Sequence, residues 1–92
     1  MENMLTVIIP AYNEAQSLKT FFPEVVDFCR KNLFNLIAVD DGSGDNTFET
    51  LKDLSGHESF VKIIHHKLNK GYGGAIKTGV HETTTQYLVT ID

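Results

Sequence analysis

Acidic and aromatic residues stand directly after two apolar segments of this 92-residue chain, where they could bind a ligand. Asp40 and Asp41 follow one apolar run, and Tyr12 and Glu14 follow another. A carboxylate can accept hydrogen bonds from the N–H of a nucleobase or from ribose hydroxyls, and a tyrosine ring offers a flat surface for a base or a sugar. In open parallel α/β sheets, ligands bind just beyond the carboxyl ends of the strands. These residues therefore predict a nucleotide-binding crevice.

Most of these residues also have a structural interpretation. Asp-Gly-Ser is a common turn sequence, and neighbouring residues at a strand end point to opposite faces, so at most one of Asp40 and Asp41 can face a given ligand. Asn13 can cap a following helix, and the helix dipole favours Glu14 in its first turn. The helix-start interpretation explains Tyr12 poorly, which favours a binding role there.

A glycine cluster could bring the backbone close to a phosphate. Gly71, Gly73 and Gly74 would open a helix, and free amides at a helix start attract anions, with Lys70 beside them. The segment is not a P-loop, because Ile76 stands where the second glycine of that motif must be. A tight turn combined with close helix–sheet packing is the alternative interpretation.

The remaining candidate side chains indicate structure rather than chemistry. His65 and His66 are adjacent, so they cannot comfortably bind one metal ion, and no further ligand stands at a suitable spacing. We expect them to end a strand. The single cysteine, Cys29, lies on an apolar helical stripe and is expected to pack in the core.

The pattern of apolar residues predicts alternating strands and helices, βαβαβαβ, in one domain over residues 1–92. Pro10 should end the first strand, because it has no amide donor for the ladder. Pro23 predicts either a kink in the first helix or a helix that begins there. The expected strands are 5–9, 36–39, 61–64 and 86–91.

Composition excludes several functional classes. Eight basic and twelve acidic residues give a net charge of −4, which does not suit a protein that binds nucleic acid. No apolar run reaches the roughly 18 residues of a membrane-spanning helix, and one cysteine favours a reducing compartment. The charge is uneven, however, because a stretch without acids carries four lysines: Lys62, Lys67, Lys70 and Lys77. They are either a solvated surface stripe or a source of positive field near a phosphate.

Four segments together resemble the amino-terminal half of family 2 glycosyltransferases, inverting enzymes of the GT-A fold. They are Val-Ile-Ile-Pro-Ala-Tyr-Asn-Glu (7–14), Val-Asp-Asp-Gly-Ser-Gly-Asp-Asn-Thr (39–47), Asn-Lys-Gly-Tyr-Gly-Gly-Ala-Ile-Lys-Thr-Gly (69–79) and Tyr-Leu-Val-Thr-Ile-Asp (87–92). The third segment looks most like the branch that makes polyprenyl-phosphate sugars, such as dolichyl-phosphate mannose synthases.

The resemblance implies a three-layer α/β/α fold with a mostly parallel sheet of about four strands in the order 3-2-1-4. It also implies a UDP- or GDP-sugar donor, a lipid-phosphate or glycan acceptor, and transfer of a hexose with inversion. Asp41 would accept a hydrogen bond from the base, and Asp92 would be the first acid of an Asp-x-Asp motif at a Mg²⁺ or Mn²⁺ ion. The implied nucleotide-sugar site is Pro10, Ala11, Tyr12, Glu14, Val39, Asp41 and Asp92, with Lys70, Gly71 and Gly73 near the phosphates.

The family pattern extends beyond these residues. The second Asp-x-Asp acid and the general base fall outside the 92 residues, so we expect no catalytic residue here and no transfer by this chain alone. A non-catalytic nucleotide-binding or interaction module is the alternative. We expect the last strand to expose its edge and to self-associate through 86–91, and the parent enzyme to be cytoplasmic, at the inner membrane surface.

Overall fold

A computed structural model describes residues 3–91 and confirms the predicted alternation of strands and helices. Three βα units are followed by a final strand. The elements are β1 (Leu5–Ala11), α1 (Ala15–Asn32), β2 (Asn35–Asp41), α2 (Thr47–Ser55), β3 (Val61–His66), α3 (Gly71–Glu82) and β4 (Tyr87–Thr90).

Within the described residues, the strands form one four-stranded parallel sheet in the expected order, β3-β2-β1-β4. The register pairs Ile8 with Ile37 and with Thr90 on its other side, and Ala38 with Ile63. The central strands β1 and β2 are almost entirely buried, as their continuous apolar runs require when helices cover both faces.

Helices cover the two faces unequally. On one face, Val7, Ile9 and Ala38 pack against Phe22 of α1 and Leu51 of α2, within a larger core cluster. On the other face, α3 alone packs over Ile37 and Val39 through Ala75. The expected three-layer arrangement is therefore confirmed.

The prediction that Pro10 ends β1 is wrong, because the strand continues through Ala11. The carbonyl of Ile8 accepts a hydrogen bond from Ile91 N–H, so the backbone groups of Ile8 face β4. These groups alternate in direction along a strand, so those of Pro10, two residues later, face the β4 side as well. The missing donor therefore falls where the pairing with β4 stops, while Pro10 still pairs in register with Val39 of β2. The strand tolerates proline because the β1–β2 ladder does not need its amide.

The first helix runs through Pro23, so the prediction of a helix that begins there is also wrong. An internal proline costs about 3 kcal/mol. The helix buries Leu18, Phe22 and Val26 on its core face, and full burial of each such side chain contributes roughly 1.5–3 kcal/mol. Packing therefore outweighs the proline, whose own side chain is exposed.

Cys29 lies on the same buried face of α1, as expected. Its side chain is fully buried, and burial raises the pKa of its thiol to about 11. Helices within residues 3–91 are all too short or too polar to cross a membrane.

The last strand, β4, pairs only with β1 among the described residues and lies at the edge of the sheet. All four of its residues are exposed. Tyr87 and Val89 are the most open of its large apolar side chains, at 56% and 44% exposure. This confirms the predicted open edge, although the strand is two residues shorter than expected.

Candidate functional site

A cavity of about 460 Å³ opens at the carboxyl ends of β1 and β2, beside the start of α3. Parallel strands place their carboxyl ends on one edge of the sheet, which explains why residues far apart in sequence meet here. The cavity is lined by Pro10, Ala11, Tyr12, Glu14, Asp41, Asn69, Gly71, Tyr72 and Ala75.

The cavity wall contains six of the residues that the sequence singled out: Pro10, Ala11, Tyr12, Glu14, Asp41 and Gly71. Three others lie outside the wall. Val39 is fully buried and packs with Ile37 and Ala75, below the wall. Lys70 and Gly73 are exposed residues near the start of α3 that do not line the cavity, and Asp92 lies outside the described residues.

Tyr12 and Glu14 are held by an unexpected connection between two loops. Asn13 adopts a left-handed conformation (φ 51°), and its side-chain Oδ1 accepts the N–H of Gly44 at 2.8 Å. In the opposite direction, Asn13 N–H donates to Ser43 Oγ at 2.9 Å. The predicted capping role of Asn13 is therefore wrong: α1 starts after Glu14 without a side-chain cap, and Asn13 instead bridges the loops after β1 and β2.

A second bridge fixes the backbone of Glu14. The buried hydroxyl of Thr47 accepts Glu14 N–H at 3.0 Å and donates to the Asp45 carboxylate. Asp45 also accepts Thr47 N–H at 3.0 Å, which secures the start of α2. These bonds to Thr47 lower the pKa of Asp45. The loop that carries Tyr12 and Glu14 is therefore fixed to the next βα unit.

Asp41 lies on the cavity wall but is only 3% exposed. Its Oδ1 accepts hydrogen bonds from His66 Nδ1 and from the backbone N–H of Lys70, each at 2.8 Å. Burial raises the pKa of the Asp41 carboxyl, but the bonds from His66 and from the backbone of Lys70 and Gly71 outweigh it, so the pKa lies below its ordinary value. The cavity therefore presents a fixed carboxylate that stays ionised at neutral pH.

Asp40 forms a similar pair on the other face of the sheet. It is fully buried, and its Oδ2 accepts a hydrogen bond from His65 Nδ1 at 2.7 Å. His65 stacks on Phe48 of α2 with ring centroids 4.4 Å apart, and Ser43 N–H donates to Asp40 Oδ1 at 3.3 Å. The expectation that only one of the two acids faces the ligand is consistent with this arrangement.

These two Asp–His pairs were not foreseen from the sequence, although the prediction that both histidines end a strand is confirmed. The register of β2 and β3 sets Asp40 beside His65 and Asp41 beside His66. An alignment of the two apolar runs at their carboxyl ends would have shown two acids opposite two histidines.

A close contact between two loops brings the start of α3 to Asp41. Gly42 has a positive φ of 70°, and a Cβ added there would lie 2.4 Å from the backbone N of Asn69. Asn69 in turn donates its side-chain amide to the Asp41 carbonyl at 3.1 Å. Only glycine fits at position 42, because both the backbone conformation and the space exclude a side chain.

The glycine cluster serves more than one purpose. Gly71 has a φ of 84°, which marks a tight turn, whereas a Cβ at Gly73 would meet nothing within 4 Å. Close helix–sheet packing occurs further along, where a Cβ at Gly79 would lie 2.5 Å from Ile8 Cγ2. Of the alternative interpretation of this cluster, the tight turn is present at Gly71, whereas the close helix–sheet contact lies outside the cluster, at Gly79. Gly73 leaves open space at the start of α3.

Residues 3–91 contain no group of three or more His, Cys, Asp or Glu side chains that could hold a metal ion. Asp92, the expected cation ligand, falls outside the described part of the chain.

Comparison with known proteins gives a consistent result. A family model described as glycosyl transferase family 2 matches residues 6–92. The chain is 35% identical over 106 residues to a UDP-N-acetylglucosamine–dolichyl-phosphate N-acetylglucosaminyltransferase of Methanococcus voltae, covering 99% of this chain and 41% of that protein. It is 33% identical over 94 residues to an undecaprenyl-phosphate 4-deoxy-4-formamido-L-arabinose transferase of Proteus mirabilis (strain HI4320), covering 98% of this chain and 28% of that protein.

A solved structure shares the fold. The mannosyltransferase PcManGT from Pyrobaculum calidifontis, in complex with GDP-Man and Mn²⁺, superimposes with a TM-score of 0.75 at 22% identity, covering 91% of this chain and 25% of that one. The chain thus spans about two fifths or less of the length of these proteins.

Proposed function

Because this chain belongs to glycosyl transferase family 2, we propose that it forms the donor-binding part of an enzyme that transfers a hexose from a UDP- or GDP-sugar to a polyprenyl phosphate. Its sheet order and helix layers match the GT-A fold that the resemblance implied. Relatives that act on dolichyl and undecaprenyl phosphate support this class of acceptor.

The observation that carries the proposal is the convergence of Tyr12, Glu14 and Asp41 on one cavity. Asp41 would accept the ring N–H that both uracil and guanine carry next to a carbonyl. Tyr12, which is 49% exposed, offers its ring to the base or the ribose. Gly71 and the open space at Gly73 lie where the diphosphate would approach the start of α3.

We further propose that a divalent cation, Mg²⁺ or Mn²⁺, assists the reaction, with Asp92 as one of its ligands. PcManGT was solved in complex with GDP-Man and Mn²⁺, which supports cation use in this fold. Such a cation neutralises the charge that develops on a leaving diphosphate.

Transfer with inversion requires a general base on the acceptor side of the sugar. The cavity wall has Asp41 and Glu14 as its acidic residues, and we assign both to the donor. Residues 1–92 by themselves would therefore bind the donor nucleotide without transferring its sugar. In the full-length enzyme, the lipid acceptor would place the reaction at the inner membrane surface, on the cytoplasmic side.

The test is titration of UDP, GDP and their sugars, with Mg²⁺ or Mn²⁺, against this chain and the full-length enzyme. One of the two nucleotides should bind more tightly, and Asp41→Ala should weaken its binding about tenfold or more, since a hydrogen bond to a charged group contributes about 1.5–3 kcal/mol. Asp53→Ala, at an exposed position on α2, is the matched control.

Binding of neither nucleotide would refute the proposal, and so would an Asp41→Ala variant that binds the preferred nucleotide with wild-type affinity. Nucleotide binding by a full-length protein that transfers no sugar would favour the alternative, a non-catalytic module.

We also propose that the chain of 92 residues self-associates through 86–91. Tyr87 N–H donates to the carbonyl of Met4, just before β1, and Ile91 N–H donates to the carbonyl of Ile8 in β1. The N–H of Leu88 therefore points away from the sheet, toward a second copy. Sizing from micromolar to millimolar concentration should show dimers. Leu88→Pro removes an outward donor without touching the bonds to β1, so it should give monomers. A strictly monomeric wild type at the highest concentration would contradict this.

A further inference from the structure

We propose that His66 is a positioning residue that orients the Asp41 carboxylate toward the nucleobase, and that base recognition therefore depends on the Nδ1 atom of this imidazole. The inference rests on the proposed function of the cavity and adds a residue that does not itself line it.

Two donors converge on one oxygen of Asp41. His66 Nδ1 approaches from β3, and Lys70 N–H approaches from the start of α3, each 2.8 Å from Oδ1. Rotation of the carboxylate about its side chain would break both bonds. The orientation that Asp41 presents to the cavity is thus fixed by contacts made behind the wall.

The imidazole is in turn held at both ends. His66 Nε2 lies 2.8 Å from Thr78 Oγ1 on α3, and the side chain of His66 is only 5% exposed. Nδ1 must donate to the carboxylate, while Nε2 and the hydroxyl complete the chain of hydrogen bonds. The connection Thr78–His66–Asp41 links α3 through β3 to the end of β2.

The chain supplies its own control. His65 and Asp40 make the same type of contact, 2.7 Å from Nδ1 to Oδ2, one residue earlier in the same register. Neither residue lines the cavity, because this pair faces α2. A substitution at His65 therefore disturbs an Asp–His pair without reaching the base.

Two substitutions separate the two nitrogen atoms of His66. The amide nitrogen of asparagine falls close to the position of Nδ1, and that of glutamine falls close to Nε2. His66→Asn therefore keeps the donor to Asp41, whereas His66→Gln keeps a partner for Thr78 and loses the donor.

The measurement is the dissociation constant of the N-methylated nucleotide, 3-methyluridine or 1-methylguanosine diphosphate, divided by that of the preferred nucleotide. The methylated form lacks the ring N–H. We expect a ratio of about ten or more for the wild type. The ratio should fall toward one in His66→Gln, stay near the wild-type value in His66→Asn, and be unchanged in His65→Gln. His66→Gln added to Asp41→Ala should cause no further loss of the ratio.

A wild-type ratio in His66→Gln would overturn the proposal, as would equal weakening of both nucleotides, which indicates a purely structural role. Should His66→Gln fail to fold, Thr78→Val removes only the outer anchor and should lower the ratio partially, and an unchanged ratio there also overturns it. A wild type that binds neither nucleotide refutes the proposed function itself, and this inference with it.

Discussion

The two Asp–His pairs of this chain are chemically alike but lie in different surroundings. Asp40–His65 and Asp41–His66 occupy consecutive positions of the same strands, with nearly equal hydrogen-bond lengths of 2.7 and 2.8 Å. The first faces α2 and is covered by a loop and an aromatic ring. The second faces α3, and its acid, Asp41, forms part of a cavity wall. The comparison shows that the layer packed above a strand end determines whether an acid there is enclosed or lines a cavity.

The difference originates in the loops that follow. After β2, the chain folds back over Asp40, and the Ser43 N–H closes that side. After β3, the tight turn at Gly71 starts α3 beside Asp41, and the helix leaves space above it. Alternation along β2 assigns the acids to opposite faces, and the loops then close one face and leave the other open.

The largest expected effect comes from Gly42→Ala, which should disturb both pairs at once. Its Cβ would clash with Asn69, and its left-handed backbone is unfavourable for alanine. The two penalties together predict a loss of about 3 kcal/mol in the free energy of unfolding. Urea denaturation measures this loss.

Gly73→Ala is the matched control, because a Cβ there meets nothing within 4 Å and residue 73 lies within α3. It should leave stability unchanged or raise it by up to about 1 kcal/mol. Equal free energies of unfolding for the two variants would show that the contact between residues 42 and 69 does not hold the two Asp–His pairs in place.

A smaller effect should separate the pairs. Asp40→Ala leaves His65 and the Ser43 N–H without their buried partner, so we expect a loss of about 2–3 kcal/mol in the free energy of unfolding. The folded protein should still bind the nucleotide with wild-type affinity, unlike Asp41→Ala. Denaturation and nucleotide titration on the same samples test this, and weakened nucleotide binding in Asp40→Ala would erase the distinction between the two pairs.

The smallest effect is a pH dependence of the Asp41 pair. Its carboxyl has a native pKa below the ordinary value of 3.8, so its contribution to stability is complete above that value and is lost as pH falls through the native pKa. The stability difference between the wild type and Asp41→Asn should therefore be constant near neutral pH and narrow below about pH 4. A stability difference that stays constant down to pH 2 would show that the hydrogen bonds to the Asp41 carboxylate do not stabilise its ionised form.

The sequence predicted the parts of the site that depend on local pattern. Apolar runs ending in Tyr12, Glu14 and Asp41 were enough to place those residues at one edge of a parallel sheet. The Asp41–His66 pair depends on the register of two strands, and the bridge at Asn13 depends on a left-handed residue. Both are long-range properties that no single segment encodes.

The fold was predictable to a similar extent. Alternating strands and helices follow from periodicity, whereas the strand order came from the family resemblance. The predicted element boundaries were wrong at the two prolines for a physical reason. The missing N–H of Pro10 faces the side on which the β1–β4 pairing has already stopped. In α1, burial of apolar side chains outweighs the cost of Pro23 inside the helix.

The buried thiol of Cys29 has a practical consequence for experiments on this protein. Maleimides react with thiolates, and a pKa of about 11 with no exposure leaves Cys29 far less reactive than an exposed cysteine of pKa about 8.5. A fluorophore can therefore be attached selectively to a cysteine introduced at an exposed position such as Lys77, without first removing the native one. Addition of a nucleotide can then be followed by fluorescence at α3 with an otherwise unaltered core.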